Sequence, residues 1–140
     1  MARYMIDTNI LYYIIEEQDR LTKDVKAIVY NYENALYISI ETVKELIVAH
    51  RNKNLLAHRW KTAKELVDAI TEETNVDILP IDFKVISRMA QLQINTAENH
   101  NDPSDHIIIA HAMTVGMPLI SSDRKFPFYR TQGLDLVSNF

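Results

Sequence analysis

A chain of 140 residues, 47% apolar and 24% charged, has the size and balance of one globular domain spanning residues 1–140 with a real core. It has no cysteine, which excludes disulfides and thiolate-held metals, and its only glycines, Gly116 and Gly133, argue against a glycine-rich phosphate loop and a turn-rich all-β fold. The formal net charge of −4 argues against gripping a long duplex by overall positive charge, so any nucleic-acid contact needs a local patch or a bound cation.

In chain order, Tyr4 to Ile6 is an apolar strand that climbs to one acid, Asp7, and a helix is expected from Thr8 to about Glu16. Asp7 and Asn9 interrupt that apolar stretch, which makes it a poor export signal. No run reaches the roughly 18 apolar residues that span a bilayer, so no membrane association is expected and the chain reads as cytoplasmic. After a polar break, helical spacing of Val25, Ile28 and Val29 predicts a helix over about Thr22–Glu33, and Leu36 to Ile40 reads as a buried strand. Val43, Leu46, Ile47 and His50 form the stripe of a helix over Glu41–Arg51, with Glu45 off the stripe. A further helix is expected over roughly Leu56–Thr74. The stretch His50 to Lys64 is basic, and it is either a solvated face or an edge that meets RNA or a partner beside Glu45.

Val76–Ile81 is the third strand, Asp82 a cap for the helix that follows, and Thr96–Asn101 a loop. Asp102-Pro103-Ser104-Asp105 is a helix start, with a cap, a proline in the first turn and an acid in the first turn. The helix Ser104–Val115 is apolar nearly all round and ends at Gly116 and Pro118. Leu119–Ser122 is a short strand reaching Asp123, Arg124–Gln132 a loop, and Leu134–Val137 a last strand. Strands alternating with helices imply a three-layer α/β/α sandwich around a parallel sheet. In such sheets ligands bind beyond the carboxyl ends of the strands.

Asp7 and Asp123 sit at those ends, while Glu45 and Asp105 sit near helix starts that face them. Each acid has a plain structural reading. Asp7 and Asp102 can be caps, Thr42-x-x-Glu45 fits a capping box, Asp105 can complement a helix dipole, and Asp123 can be a turn residue. Gathered on one edge, the four carboxylates would repel, and a divalent cation would relieve them. Oxygen donors without sulfur suit Mg²⁺ or Mn²⁺. The histidines at 50, 58, 100, 106 and 111 match no zinc spacing and read as packed or exposed side chains, and Trp60 reads as core.

Four short motifs carry a resemblance. Ile6-Asp7-Thr8-Asn9, Ser39-x-x-Thr42-x-x-Glu45-Leu46, the segment Asn101 to Ala112, and Ile120-Ser121-Ser122-Asp123 occur in the order seen in the PIN-domain family, and resemble its VapC-type toxins. The resemblance implies a parallel five-stranded α/β/α sandwich and a Mg²⁺- or Mn²⁺-dependent ribonuclease. It places Asp7, Glu45, Asp105 and Asp123 as catalytic and metal-binding acids, with Asn9 a polar neighbour of the first. Arg51 and Lys53 are candidate substrate contacts from the basic stretch. A cognate antitoxin and a second copy of the chain are the implied partners. His106 departs from the family pattern of an arginine after the acid, which bears on phosphate or partner contacts. Two alternatives remain: an inactive binding module of the same fold, which would be expected to have lost an acid, and a phospho-acceptor receiver, which would carry a lysine after its last strand.

Overall fold

The computed structural model describes residues 1–140. Five strands, β1 (Arg3–Ile6), β2 (Ala35–Ser39), β3 (Val76–Leu79), β4 (Leu119–Ser121) and β5 (Leu136–Ser138), form one sheet in the order β3-β2-β1-β4-β5. Every pairing is parallel. Parallel neighbours need crossovers, and the helices α1 (Thr8–Glu16), α2 (Lys23–Val29), α3 (Ile40–Lys53), α4 (Ala63–Glu73), α5 (Phe83–Gln91) and α6 (Pro103–Val115) lie within them. Short 3-10 turns cover Gln18–Arg20, Thr96–Glu98 and Phe126–Gln132.

Side-chain alternation along the strands creates the layers. In β1, Met5 and Ile6 are both fully buried but face opposite ways. Ile6 packs with Ile10, Leu11, Val25, Leu46 and Leu66 on one face. Met5 packs with Ile108, Ile109, Phe126 and Tyr129 on the other. Leu119 and Ile120 of β4 divide between the same two clusters. The result is the expected three-layer sandwich. No helix is long and apolar enough to cross a membrane.

Strand order runs outward in both directions from the β1–β4 pair, so the crevice beyond their carboxyl ends is the topological switch point. Pairing of Ile6 with Ile120 sets Asp7 beside Ser121 at its rim.

Several boundaries differ from the sequence reading. The helix expected over Leu56–Thr74 begins only at Ala63, where Thr62 caps it by accepting the Glu65 N–H. Before it, Asn54 and Leu56 take left-handed backbone conformations (φ 57° and 60°), which close α3 and turn the chain. Helix α2 stops at Val29 rather than Glu33. Strand β5 starts at Leu136 rather than Leu134, because the 3-10 turn runs on to Gln132 and closes at Gly133 (φ 112°). Trp60, expected in the core on the helix over Leu56–Thr74, lies before α4 and is half-buried against the core rather than within it.

Candidate metal centre

Asp7 is placed by the last rung of β1 and the first turn of α1. Its N–H donates to the Ile120 carbonyl at 3.1 Å, which fixes it to β4. Its Oδ1 accepts the Ile10 N–H at 3.0 Å, so it caps α1. Its Oδ2 accepts the Ser121 hydroxyl at 2.5 Å. A carboxylate has about four acceptor positions, so both oxygens keep capacity for a cation. Burial pushes the Asp7 pKa up to about 7; the hydrogen bonds from Ser121 and Ile10 oppose this, and the charges of Asp105 and Asp123 add to it.

Glu45 lies in the second turn of α3. The cap of this helix is Ser39, whose Oγ accepts the Glu41 N–H at 3.1 Å, so the capping-box reading of Thr42 and Glu45 does not hold. Glu45 instead accepts the Thr8 hydroxyl at 2.5 Å, and Thr8 also contacts Thr42 at 3.0 Å. The side chain therefore reaches across to the start of α1. Its pKa rises to about 7, again chiefly by burial, opposed by Thr8 and assisted by Asp105, Asp102 and Glu41.

Asp105 sits in the first turn of α6 and contacts His100 Nε2 through Oδ2 at 3.0 Å. Burial raises its pKa; the His100 hydrogen bond opposes this, and the charges of Asp102 and Asp123 reinforce it. Asp123 follows β4, donating its N–H to Ser121 Oγ at 3.0 Å and accepting the Lys125 N–H on Oδ1 at 2.8 Å. Ligand atoms of His100, Asp105 and Asp123 lie within 4.8 Å of one another. Asp102 caps α6, its Oδ1 accepting the Ser104 N–H at 2.9 Å, as its place before Pro103 suggests.

The four sequence-derived acids thus converge. The basic candidates do not. Arg51 and Lys53 are exposed in the last turn of α3, about 9 and 12 Å along the helix axis from Glu45 at 1.5 Å per residue. In the same basic stretch, His58 and Arg59 bind Glu16 at 3.0 and 2.9 Å, at the far end of α1 from Asp7. Asn9 is exposed in the first turn of α1, two residues from Asp7. His106 is buried and places Nε2 2.9 Å from the His100 carbonyl. His111 is buried too, with Nδ1 2.8 Å from Ser39 Oγ.

Three polar residues near the acids were given no site role from sequence. Ser121 is a hydroxyl in an otherwise apolar β4, and that anomaly is a readable signal. His100 approaches Asp105 only because the loop before α6 folds back, and its spacing carries no signal. Lys44 sits next to Glu45 in sequence, and its Nζ lies 2.7 Å from Glu41 Oε2. Glu41 also accepts the Ser104 hydroxyl at 2.6 Å, tying α3 to α6.

Asp7 and Glu45, which burial chiefly holds partly protonated near neutrality, belong to a donor set that a divalent cation would relieve. Oxygen donors predominate, which fits Mg²⁺ or Mn²⁺.

A family model of the PIN domain matches residues 4–134. No curated protein sequence matches the chain. Among solved structures, DNA-bound VapBC from Salmonella typhimurium contains a chain 20% identical, with TM-score 0.71 and complete coverage of both chains. A chain of VapBC2 from Rickettsia felis, solved bound to a promoter DNA fragment, is 19% identical, with TM-score 0.68 and coverage of 97% of this chain and 98% of that one. VapBC-5 from Mycobacterium tuberculosis, from the VapBC family of toxin–antitoxin systems, gives 19% identity, TM-score 0.64 and 99% coverage of both chains. At these identities the likeness is one of fold.

Proposed function

The chain belongs to the PIN-domain family, and from that premise we propose that it is a Mg²⁺- or Mn²⁺-dependent endoribonuclease, the toxin of a toxin–antitoxin pair acting in the cytoplasm. The observation that carries the reading is the convergence of Asp7, Glu45, Asp105 and Asp123 at the switch point of the sheet, where burial raises the pKa values of Asp7 and Glu45 to about 7. A binding module would have no use for such a costly arrangement, which argues against the inactive alternative.

Asp7, Asp105 and Asp123 would hold the ion, with Glu45 as a further ligand or as the holder of a water. When bound, the ion supplies Lewis-acid polarisation of the scissile phosphate and a water more acidic than bulk water. Ser121 orients Asp7 through its hydroxyl, and Thr8 orients Glu45. Lys44, next to Glu45 in sequence and 2.7 Å from Glu41, is the cation proposed to meet a substrate phosphate. The proposed partners are an RNA substrate, a cognate antitoxin and a second copy of the chain. They are supported by the family and by folds shared with VapBC complexes.

Asp7→Asn is the direct test. Asparagine is also a good helix cap, so α1 should survive. Metal-dependent RNA cleavage is expected to fall by more than about 100-fold, since even loss of an outer partner of a metal ligand costs about 10- to 100-fold. Undiminished cleavage by a folded Asp7→Asn protein sinks the assignment. For the biological role, expression should arrest growth, and Asp105→Ala should relieve the arrest. Equal toxicity of the two forms points to a binding mechanism instead.

A further inference from the structure

Behind Asp105 lies a buried polar chain that the acids alone do not require. The His100 ring is 2% exposed. Its Nδ1 is 2.8 Å from the Tyr129 hydroxyl, and its Nε2 is 3.0 Å from Asp105 Oδ2. Tyr129, fully buried, accepts the Asn95 N–H on the same hydroxyl at 3.1 Å. The His106 contact to the His100 carbonyl holds the backbone beneath the ring. The rings of His106, Phe126 and Tyr129 surround it, with centroids 4.9, 5.5 and 5.5 Å away.

This arrangement decides where the protons are. A phenol has one proton to give. Asn95 already donates to the Tyr129 oxygen, and His100 Nδ1 is the acceptor within reach of the Tyr129 proton. His100 Nδ1 is therefore bare and Nε2 carries hydrogen, aimed at the carboxylate. The opposite tautomer leaves a buried hydroxyl proton unmet and sets a nitrogen lone pair against Asp105 Oδ2.

We propose that His100 is a positioning residue of the metal centre: Tyr129 locks it as the Nε2–H tautomer, and it pins Asp105 Oδ2, leaving Oδ1 as the uncommitted oxygen of that ligand. It acts on the ion through Asp105. This rests on the metal-centre reading above. The role is that of an outer partner that fixes the rotamer of a carboxylate before the ion arrives. It also ties the loop Asn95–His100 and the turn Phe126–Gln132 to the geometry of the centre. Asn95 strengthens that tie by donating through Nδ2 to Glu98 at 2.8 Å and to the Lys125 carbonyl at 3.3 Å.

The test uses Mn²⁺ as probe on the full chain. Calorimetric affinity is measured for the wild type, His100→Leu, His100→Gln and Tyr129→Phe. Glutamine can place an amide N–H near the position of Nε2, whereas leucine cannot. Affinity is expected to fall about 10- to 100-fold in His100→Leu, to be largely recovered in His100→Gln, and to fall less in Tyr129→Phe. Two measurements on the unsubstituted protein keep the proposal testable if His100→Leu fails to fold. Imidazole ¹⁵N shifts should show a bare Nδ1 and a protonated Nε2 with and without Mg²⁺. Electron spin-echo spectra of the Mn²⁺ form should show no directly coordinated histidine nitrogen. Wild-type affinity in a folded His100→Leu, a bare Nε2, or a coordinated nitrogen each overturns the proposal while leaving the centre intact. Failure of the wild type to bind Mn²⁺ overturns the centre and this role together.

Discussion

Asp7 and Glu45 retain their protons to about pH 7 in the folded chain, against ordinary values of 3.8 and 4.5. A carboxyl whose folded pKa is raised makes the folded state bind more protons than the unfolded one between those two values. Its stabilising contribution is complete below about pH 4 and is lost as the pH rises through about 7. The metal-free protein should therefore melt at a lower temperature at about pH 8 than at about pH 5, and Asp7→Asn should flatten part of that slope. A metal-free melting series with a slope unchanged by the substitution contradicts the buried-acid account. The same groups must give up their protons to take an ion. Metal binding near pH 6 should release more protons than near pH 8, a difference readable by calorimetry in buffers of unlike ionisation enthalpy.

At the scale of elements, the start of α6 separates a cap from a ligand. Asp102→Ala should cost about 1 kcal/mol through the lost cap, seen in denaturant unfolding, while leaving Mn²⁺ affinity in place. A large loss of affinity at unchanged stability makes Asp102 a ligand. Both ends of this helix were legible, the start in Asp102-Pro103-Ser104-Asp105 and the stop at Gly116 (φ 70°), because cap chemistry, proline placement and a glycine stop are local. The convergence of the acids was legible for a different reason: strand–helix alternation dictates which ends of the elements share an edge. The segment 54–62 was not legible, since Leu56 in a left-handed conformation runs against its own preference and is held there by burial. Nor was the pairing of His58 and Arg59 with Glu16, which depends on tertiary placement rather than pattern.

Across the whole molecule, the four acids gather at the carboxyl edge of the sheet, while in the α3–α4 connection His58 and Arg59 pair with Glu16, and Arg51 and Lys53 are exposed at the end of α3. On the proposed function, RNA affinity should depend on Lys44 and little on Arg51 or Lys53. Lys44→Ala should reduce the salt slope of single-strand binding by about 0.7, the share of one phosphate contact, and Arg51→Ala with Lys53→Ala should leave it unaltered. A filter-binding salt series reads both, and the reverse pattern would put the RNA on the far face. The Ser121–Asp7 bond, finally, joins residues 114 apart in the chain. Strand β1 is made first, yet β4, its neighbour at the crevice, is among the last parts made. At about 5–20 residues per second, on the order of ten seconds of synthesis separate Asp7 from Ser121. Closing so long a loop is also slow in entropic terms. The four-acid centre is thus assembled late in synthesis, with the folding of β4, and on the proposed function a growing chain would not cut the messenger that encodes it until then.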